Sequence, residues 1–288
     1  MTIKLTGSGG AIKITGTGGS IKFSPPSGGG GGPTDPATLS NIAARYLASD
    51  AINYGYQLDL PENQDRTPAV SAAGGFSYEA SSEAYNGLAV TGWTSASGAA
   101  PGWGGANTNK LMLPAYSKAR TVYFVGDMPN SSVNTVLFSY GTNAYGGSPA
   151  ASGFFQIVAA GGEIKIRSYS YDEASGMWTN RDSQAQSISS GVPFVLSYSY
   201  AEGTDVNANT MYINGTAASG TAGTSGLMYT GADGGDPVYS RNGVIQFGQA
   251  DAPAGPNVKL AELFVFSSAH NATTRQGVES FLMSKYAI

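Results

Sequence analysis

The chain reads as an all-β protein built as a two-sheet sandwich with short flanking helices, and three observations predict it. Eight short segments rich in Val, Ile, Phe, Tyr and Thr, some with clear apolar–polar alternation such as 163–167, are divided by glycine-rich turns. The composition is turn-rich and aromatic, with 41 Gly, 17 Tyr and 11 Phe among 288 residues and 12% charged side chains, enough for one large core. The last alternating segment then runs into a stretch whose apolar residues switch to helical spacing.

The amino terminus carries an internal repeat. Ile3-Lys-Leu-Thr-Gly, Ile12-Lys-Ile-Thr-Gly and Ile21-Lys-Phe-Ser begin at 3, 12 and 21, a nine-residue period. Each phrase reads as a short strand and a glycine turn, with the apolar residues on one face and Lys on the other. Full burial of an Ile, Leu or Phe contributes roughly 1.5–3 kcal/mol. Ordering each backbone residue costs about 1–2 kcal/mol, so residues 1 to 24 are not expected to fold alone. They are expected to trimerise or to dock on a partner; a low-complexity tail is the competing reading. Pro25-Pro26 and Ser27-Gly-Gly-Gly-Gly-Gly-Pro33 place a linker over 25 to 36, which leaves 37 to 288 as the head.

In the head, Asp35-Pro36 is an N-cap followed by proline at the first helical position. Leu39, Ile42, Ala43, Tyr46 and Leu47 then share a helical face, which predicts a helix over 36 to 48. Strands are expected over 121–125, 135–140, 154–159, 163–171, 194–200, 211–213, 244–247 and 260–266. Ile164 and Ile166 should point inward, with Lys165 and Arg167 outward. Phe194, Leu196, Tyr198 and Tyr200 form a core row, with Val195, Ser197 and Ser199 on the other face. A closing helix should bury Val278, Phe281, Leu282 and Tyr286, with Thr273 and Gln276 at capping-box spacing.

Leu260-Ala-Glu-Leu-Phe-Val-Phe266, Ala269 and Val278-Glu-Ser-Phe-Leu-Met-Ser-Lys-Tyr286 resemble the closing segment of the concanavalin A-like (laminin-G-like) jelly-roll superfamily. In that pattern a strand bearing a glutamate precedes a helix that ends in Lys-Tyr. Thr210-Met-Tyr-Ile-Asn-Gly215 is similar to the superfamily's strand and tight turn. The resemblance covers about residues 37 to 288 and implies the fold; lectins, glycan hydrolases, adhesion modules and virion appendages all use it.

A rigid sandwich displays its binding residues in its loops. Trp178, then Trp103 and Trp93, lie among Gly, Ser, Thr or Asn in stretches read as loops, and each could stack on a sugar ring or lid the core. Polar partners are expected from 93–107, 143–152 and 172–182. Asp233 and Asp236, separated by two glycines, could wrap a calcium ion or form an ordinary surface turn. No other cofactor is expected.

Catalysis is not expected. The Glu-x-Asp-x-(x)-Glu strand motif of the superfamily's endo-glucanases is missing: Glu79 and Glu83 stand four apart, and Asp172 and Glu173 are adjacent. A triad would need His270, the chain's single histidine, which precedes the closing helix at a turn. With no cysteine, disulfides and thiolate chemistry are excluded. A formal charge of −4 disfavours nucleic acid, and no apolar run is long enough to span a membrane as a helix. The amino terminus lacks an apolar signal core, so synthesis in a cytoplasm is expected and any export by another route, release of a particle by lysis being one.

These readings, with the likeness of short Ile-Lys-x-Thr-Gly repeats to phage fibre and adaptor segments, favour a non-enzymatic bacteriophage virion protein. It would be a fibre, tail or decoration component, assembled in the host cytoplasm, attached through residues 1 to 24, trimeric, and displaying a lectin-like head. The alternatives are a free bacterial lectin module and, behind it, a glycan hydrolase.

Overall fold

The computed structural model describes residues 32–50, 75–94, 102–103, 113–114, 117–128, 134–142, 153–172, 177–228, 239–240, 244–250 and 258–288. The repeat over 1 to 24, Asp233 with Asp236, and the 143–152 loop lie outside the described residues.

The strands are β1 (Ile42–Leu47), β2 (Gly75–Ser82), β3 (Leu88–Thr94), β4 (Gly102–Trp103), β5 (Leu113–Pro114), β6 (Arg120–Asp127), β7 (Thr135–Thr142), β8 (Gly153–Ala160) and β9 (Glu163–Asp172). They continue as β10 (Met177–Asp182), β11 (Gln186–Ser187), β12 (Phe194–Tyr200), β13 (Met211–Ile213), β14 (Thr216–Ala217), β15 (Tyr239–Ser240), β16 (Val244–Ala250) and β17 (Val258–Phe266). Among the described residues there is one α-helix, α1 (Ala272–Tyr286), which follows β17.

They form the predicted two-sheet antiparallel sandwich. The first sheet runs β14-β13-β12-β6-β17-β3-β2, with β1 also paired to β17; the second runs β10-β9-β8-β7-β16-β4, with β11 on β9. A short third ladder joins β5 and β15. Alternation decides what fills the space between the sheets. Val122, Phe124, Leu196, Tyr198, Leu263 and Val265 of the first sheet meet Phe138, Tyr140, Phe155, Ile157, Ile164 and Ile166 of the second. The alternate set on the first sheet, Tyr123, Val125, Val195, Phe264 and Phe266, is buried too, under Val278, Leu282 and Tyr286 of α1. The described residues therefore stack in three layers, helix on sheet on sheet.

Two close details show sequence shaping backbone. Met211–Ile213 turns into Thr216–Ala217 through Asn214 and Gly215, with φ of 51° and 74°. Positive φ at both central residues is the twist-matching hairpin turn that Asn-Gly favours. Asn214 Oδ1 also accepts from Val195 N at 2.7 Å, which ties the hairpin to β12. At Gly126 a Cβ would stand 2.2 Å from the carbonyl oxygen of Lys259. β17 bulges between Leu260 and Glu262 there, so only glycine lets the two strands approach.

Three sequence expectations are corrected. The helix expected over 36–48 is a 3-10 turn, Pro36–Thr38, followed by strand β1. Asp35 does cap that turn, its Oδ1 accepting from Ala37 N at 2.9 Å. The apolar residues of 39–47 fit both periods, and Ala44 and Tyr46 are buried at period two once β1 pairs with β17. The closing helix is capped by Asn271, which accepts from Thr274 N at 2.9 Å, and not by a Thr273–Gln276 box. The tryptophan stretches read as loops are strands: Trp93 lies in β3, Trp103 in β4 and Trp178 in β10.

Candidate binding face

Two buried glutamates at the seam between α1 and the first sheet hold the helix in place. Glu262 of β17, 1% exposed, accepts from Arg45 Nη2 at 3.2 Å, Lys285 Nζ at 2.7 Å and the Tyr286 hydroxyl at 3.0 Å. The two halves of the closing-segment pattern, the strand glutamate and the helix Lys-Tyr, are thus one hydrogen-bonded unit. Glu279 of α1 takes Ser197 Oγ and Arg275 Nη1, and the Arg275 guanidinium lies 3.4 Å from the Tyr212 ring centroid. Asp127 accepts from the Tyr85 hydroxyl at 3.0 Å, and its second oxygen is buried without a partner; burial holds its pKa above the usual carboxylate range. These groups lack the paired, solvent-reachable geometry that carboxylate catalysis requires.

His270 does not sit as a nucleophile's base. Its Nδ1 stands 2.9 Å from the Tyr123 hydroxyl, its ring packs 4.4 Å from that of Phe266, and its backbone oxygen accepts from Ser199 Oγ. Desolvation lowers its pKa to about 4. Between that value and the unfolded value near 6.5, the unfolded chain binds the extra proton. This contribution to stability is therefore present in full above about pH 6.5 and is lost as pH falls toward 4. Because the chain has a single histidine, its imidazole resonances titrate without overlap. NMR should give a pKa well below 6.5, and a midpoint at 6.5 would disprove the buried neutral state.

The outer face of the second sheet differs. On β9, Lys165 and Arg167 point outward as expected, opposite buried Ile164 and Ile166. Directly across from Arg167 stand Asp182 of β10 and Gln156 of β8. Arg167 grips Asp182 with Nε at 2.9 Å and Nη2 at 3.2 Å, and Lys165 Nζ reaches the same carboxylate at 2.6 Å. Burial pushes the Asp182 pKa up, and the hydrogen bonds from Arg167 and Lys165 overcome it, so the group titrates below its ordinary value. Each cation keeps donors beyond those it spends on Asp182.

Tyr169 continues this face half-buried, and Asn180 of β10 continues it exposed. Trp178 has the same parity along β10 as Asn180 and Asp182. The segment 218–228 runs along the β10–β11 edge: Thr224 N donates to Asp182 O at 2.9 Å, Gly220 N to Ala185 O at 2.8 Å, and Glu163 accepts from Thr221 N at 3.1 Å. That edge is covered rather than left open for strand addition.

The structure does not gather the three tryptophans. β10 and β4, which carry Trp178 and Trp103, are opposite edges of the second sheet, and Trp93 belongs to the first, paired with Val258 and Phe76. The Lys165–Arg167–Asp182 cluster has no signal in the sequence beyond its two cations, because Asp182 lies in a Thr- and Asn-containing stretch that becomes strand β10 only by pairing with β9. Alternation had already put both cations on one face.

No protein-family model and no curated protein sequence matches the chain. Among solved structures, the binding domain of Paraclostridial Mosquitocidal Protein 1 superposes with a TM-score of 0.52 at 13% identity, over 85% of this chain and 52% of that one. The binding domain of botulinum neurotoxin serotype G gives 0.50 at 11% identity, over 85% and 51%. The shared feature is the β-sandwich. This chain spans about half the length of each of these neighbours.

Proposed function

We propose that this chain is a non-enzymatic display protein whose second-sheet outer face binds a cell-surface glycan, with Trp178 as the stacking plate. The observation that carries the reading is the asymmetry of the two outer faces. On the first sheet α1 fills the face with apolar side chains. On the second, among the described residues, the face presents Gln156, Lys165, Arg167, Tyr169, Asn180 and Asp182, a row of hydrogen-bonding groups on rigid strands. Sugars offer hydroxyls to such donors and acceptors and an apolar ring face to an aromatic. The two sandwich neighbours are named as binding domains, which favours binding over catalysis for this chain as well.

The test is a microbial glycan array run with and without a calcium chelator. Specific binding makes the head a lectin, and its loss with chelator supports Asp233 and Asp236 as calcium ligands; silence across the array defeats the reading. Trp178→Ala should abolish binding while the protein stays folded, and undiminished binding would remove Trp178 from the site. Trp103 and Trp93, on other strands, should tolerate the same change.

We further propose that residues 1 to 24 attach the head to a particle, a bacteriophage virion being the setting that the repeated Ile-Lys phrases favour, and that they trimerise. Deleting them should convert a trimer to a monomer with the head intact. Light scattering that returned one mass for both proteins would count against self-assembly.

A further inference from the structure

The interior of α1 contains a glycine, Gly277, at a buried position. A glycine inside a helix is a poorer helix former than alanine, so it calls for a reason of packing. The reason is the segment that precedes the head. Thr34 N donates to the Gly277 carbonyl at 2.9 Å, and Thr34 Oγ1 turns back to Gly32 O at 3.1 Å. A Cβ on residue 277 would stand 2.7 Å from Thr34 Oγ1 and 3.1 Å from Gly32 O, closer than the first contact can accept. The missing side chain is a notch in the helix, and the incoming chain lies in it. Pro36, the next turn on, is buried, and Asp35 caps that turn, so the chain is also held immediately after the notch.

We propose that α1 is the docking surface for the N-terminal segment of this same chain, and that the Gly277 notch fixes its exit on the helix side of the head. The layer order then sets a polarity. The helix covers the outer face of the first sheet. Lys165, Arg167 and Asp182 stand on the outer face of the second. Stacked sheets lie about 10 Å apart and a helix is about 10 Å across, so the two surfaces are separated by roughly 20 Å. A partner engaged through residues 1 to 31 approaches the helix, and the second-sheet face stays turned away from it, free for a second ligand. The polarity is a property of the chain path and holds whether or not that face binds glycan.

The absence of cysteine makes the test direct, because introduced thiols can be spin-labelled selectively. Two double-labelled proteins are compared, Ser27→Cys with Gln276→Cys on the exposed side of α1, and Ser27→Cys with Asn180→Cys at an exposed position of β10. Ser27 is five residues from Gly32, a reach of at most about 18 Å. Pulsed dipolar spectroscopy should give the shorter distance for the helix pair and a distance longer by roughly 20 Å for the sheet pair. Gly277→Ala fills the notch, and since alanine is the better helix residue the variant should fold; it should broaden the Ser27–Gln276 distribution and speed proteolysis within 25–36. Equal distances from Ser27 to the two faces would overturn the proposal, as would an unchanged distribution and an unchanged proteolysis rate in a folded Gly277→Ala protein.

Discussion

Replacing Arg275 with alanine should cost about 3–5 kcal/mol of stability, the expected penalty for removing one partner of a buried ion pair. Arg275 and Glu279 are 6% and 2% exposed, and the guanidinium Nη1 meets the carboxylate at 2.5 Å. Without it, Glu279 keeps Ser197 as its one side-chain donor in a space walled by Tyr123 and the first sheet. Helix propensity does not explain the pair. Arginine preceding glutamate by four residues is the weaker order for an isolated helix, because it sets the negative charge toward the negative end of the dipole. Ser197 on β12 and the Tyr212 ring beneath the guanidinium are what select it. The paired replacement Arg275→Met with Glu279→Leu should recover most of the loss, since no charge is then left buried alone. Chemical denaturation of the three proteins checks this; a loss under about 1 kcal/mol for Arg275→Ala would mean that the pair is screened by water.

Phe155→Ala should cost a similar amount, about 3–5 kcal/mol, for a different reason. Phe155 of β8 is fully buried between the sheets, stacked on Tyr140 at 5.2 Å, edge-on to Phe138 at 6.4 Å and 6.5 Å from Tyr198 across the interface. Truncation removes the ring's transfer energy and leaves a cavity that flanking strands, locked in two ladders, cannot close. Phe155→Leu, which keeps most of the volume, should cost less than half as much. A domain of this kind has only about 5–15 kcal/mol in total, so the alanine variant should melt far below the parent. Equal melting temperatures for the two variants would show that the site repacks freely.

Legibility in the sequence followed burial symmetry. Strands with one core face, such as Glu163–Asp172, and strands with two buried faces, such as Phe194–Tyr200 and Val258–Phe266, carry enough Ile, Val, Phe and Tyr to be read directly. β2, β3, β4 and β10 hold Gly, Ser, Thr and Asn, residues that favour turns in isolation, and became strands because long neighbours such as β9 and β17 offered them a ladder. β1 shows the same override: Leu39 to Leu47 satisfies a helical stripe, yet the open edge of β17 decides the outcome.

Local chemistry alone determined the two-sheet sandwich, the closing helix, the Asn214-Gly215 hairpin and the outward placement of Lys165 and Arg167, because period, turn residues and charge act between near neighbours. Only tertiary structure decided that Glu262 would receive Lys285 and Tyr286, that Asp182 would join the two cations, that the three tryptophans would stand on separate strands, and that Gly277 would admit Thr34. Those pairings join residues far apart in the chain. Their energies exist only after the sheets close, when distance in space replaces distance in sequence as the variable that matters.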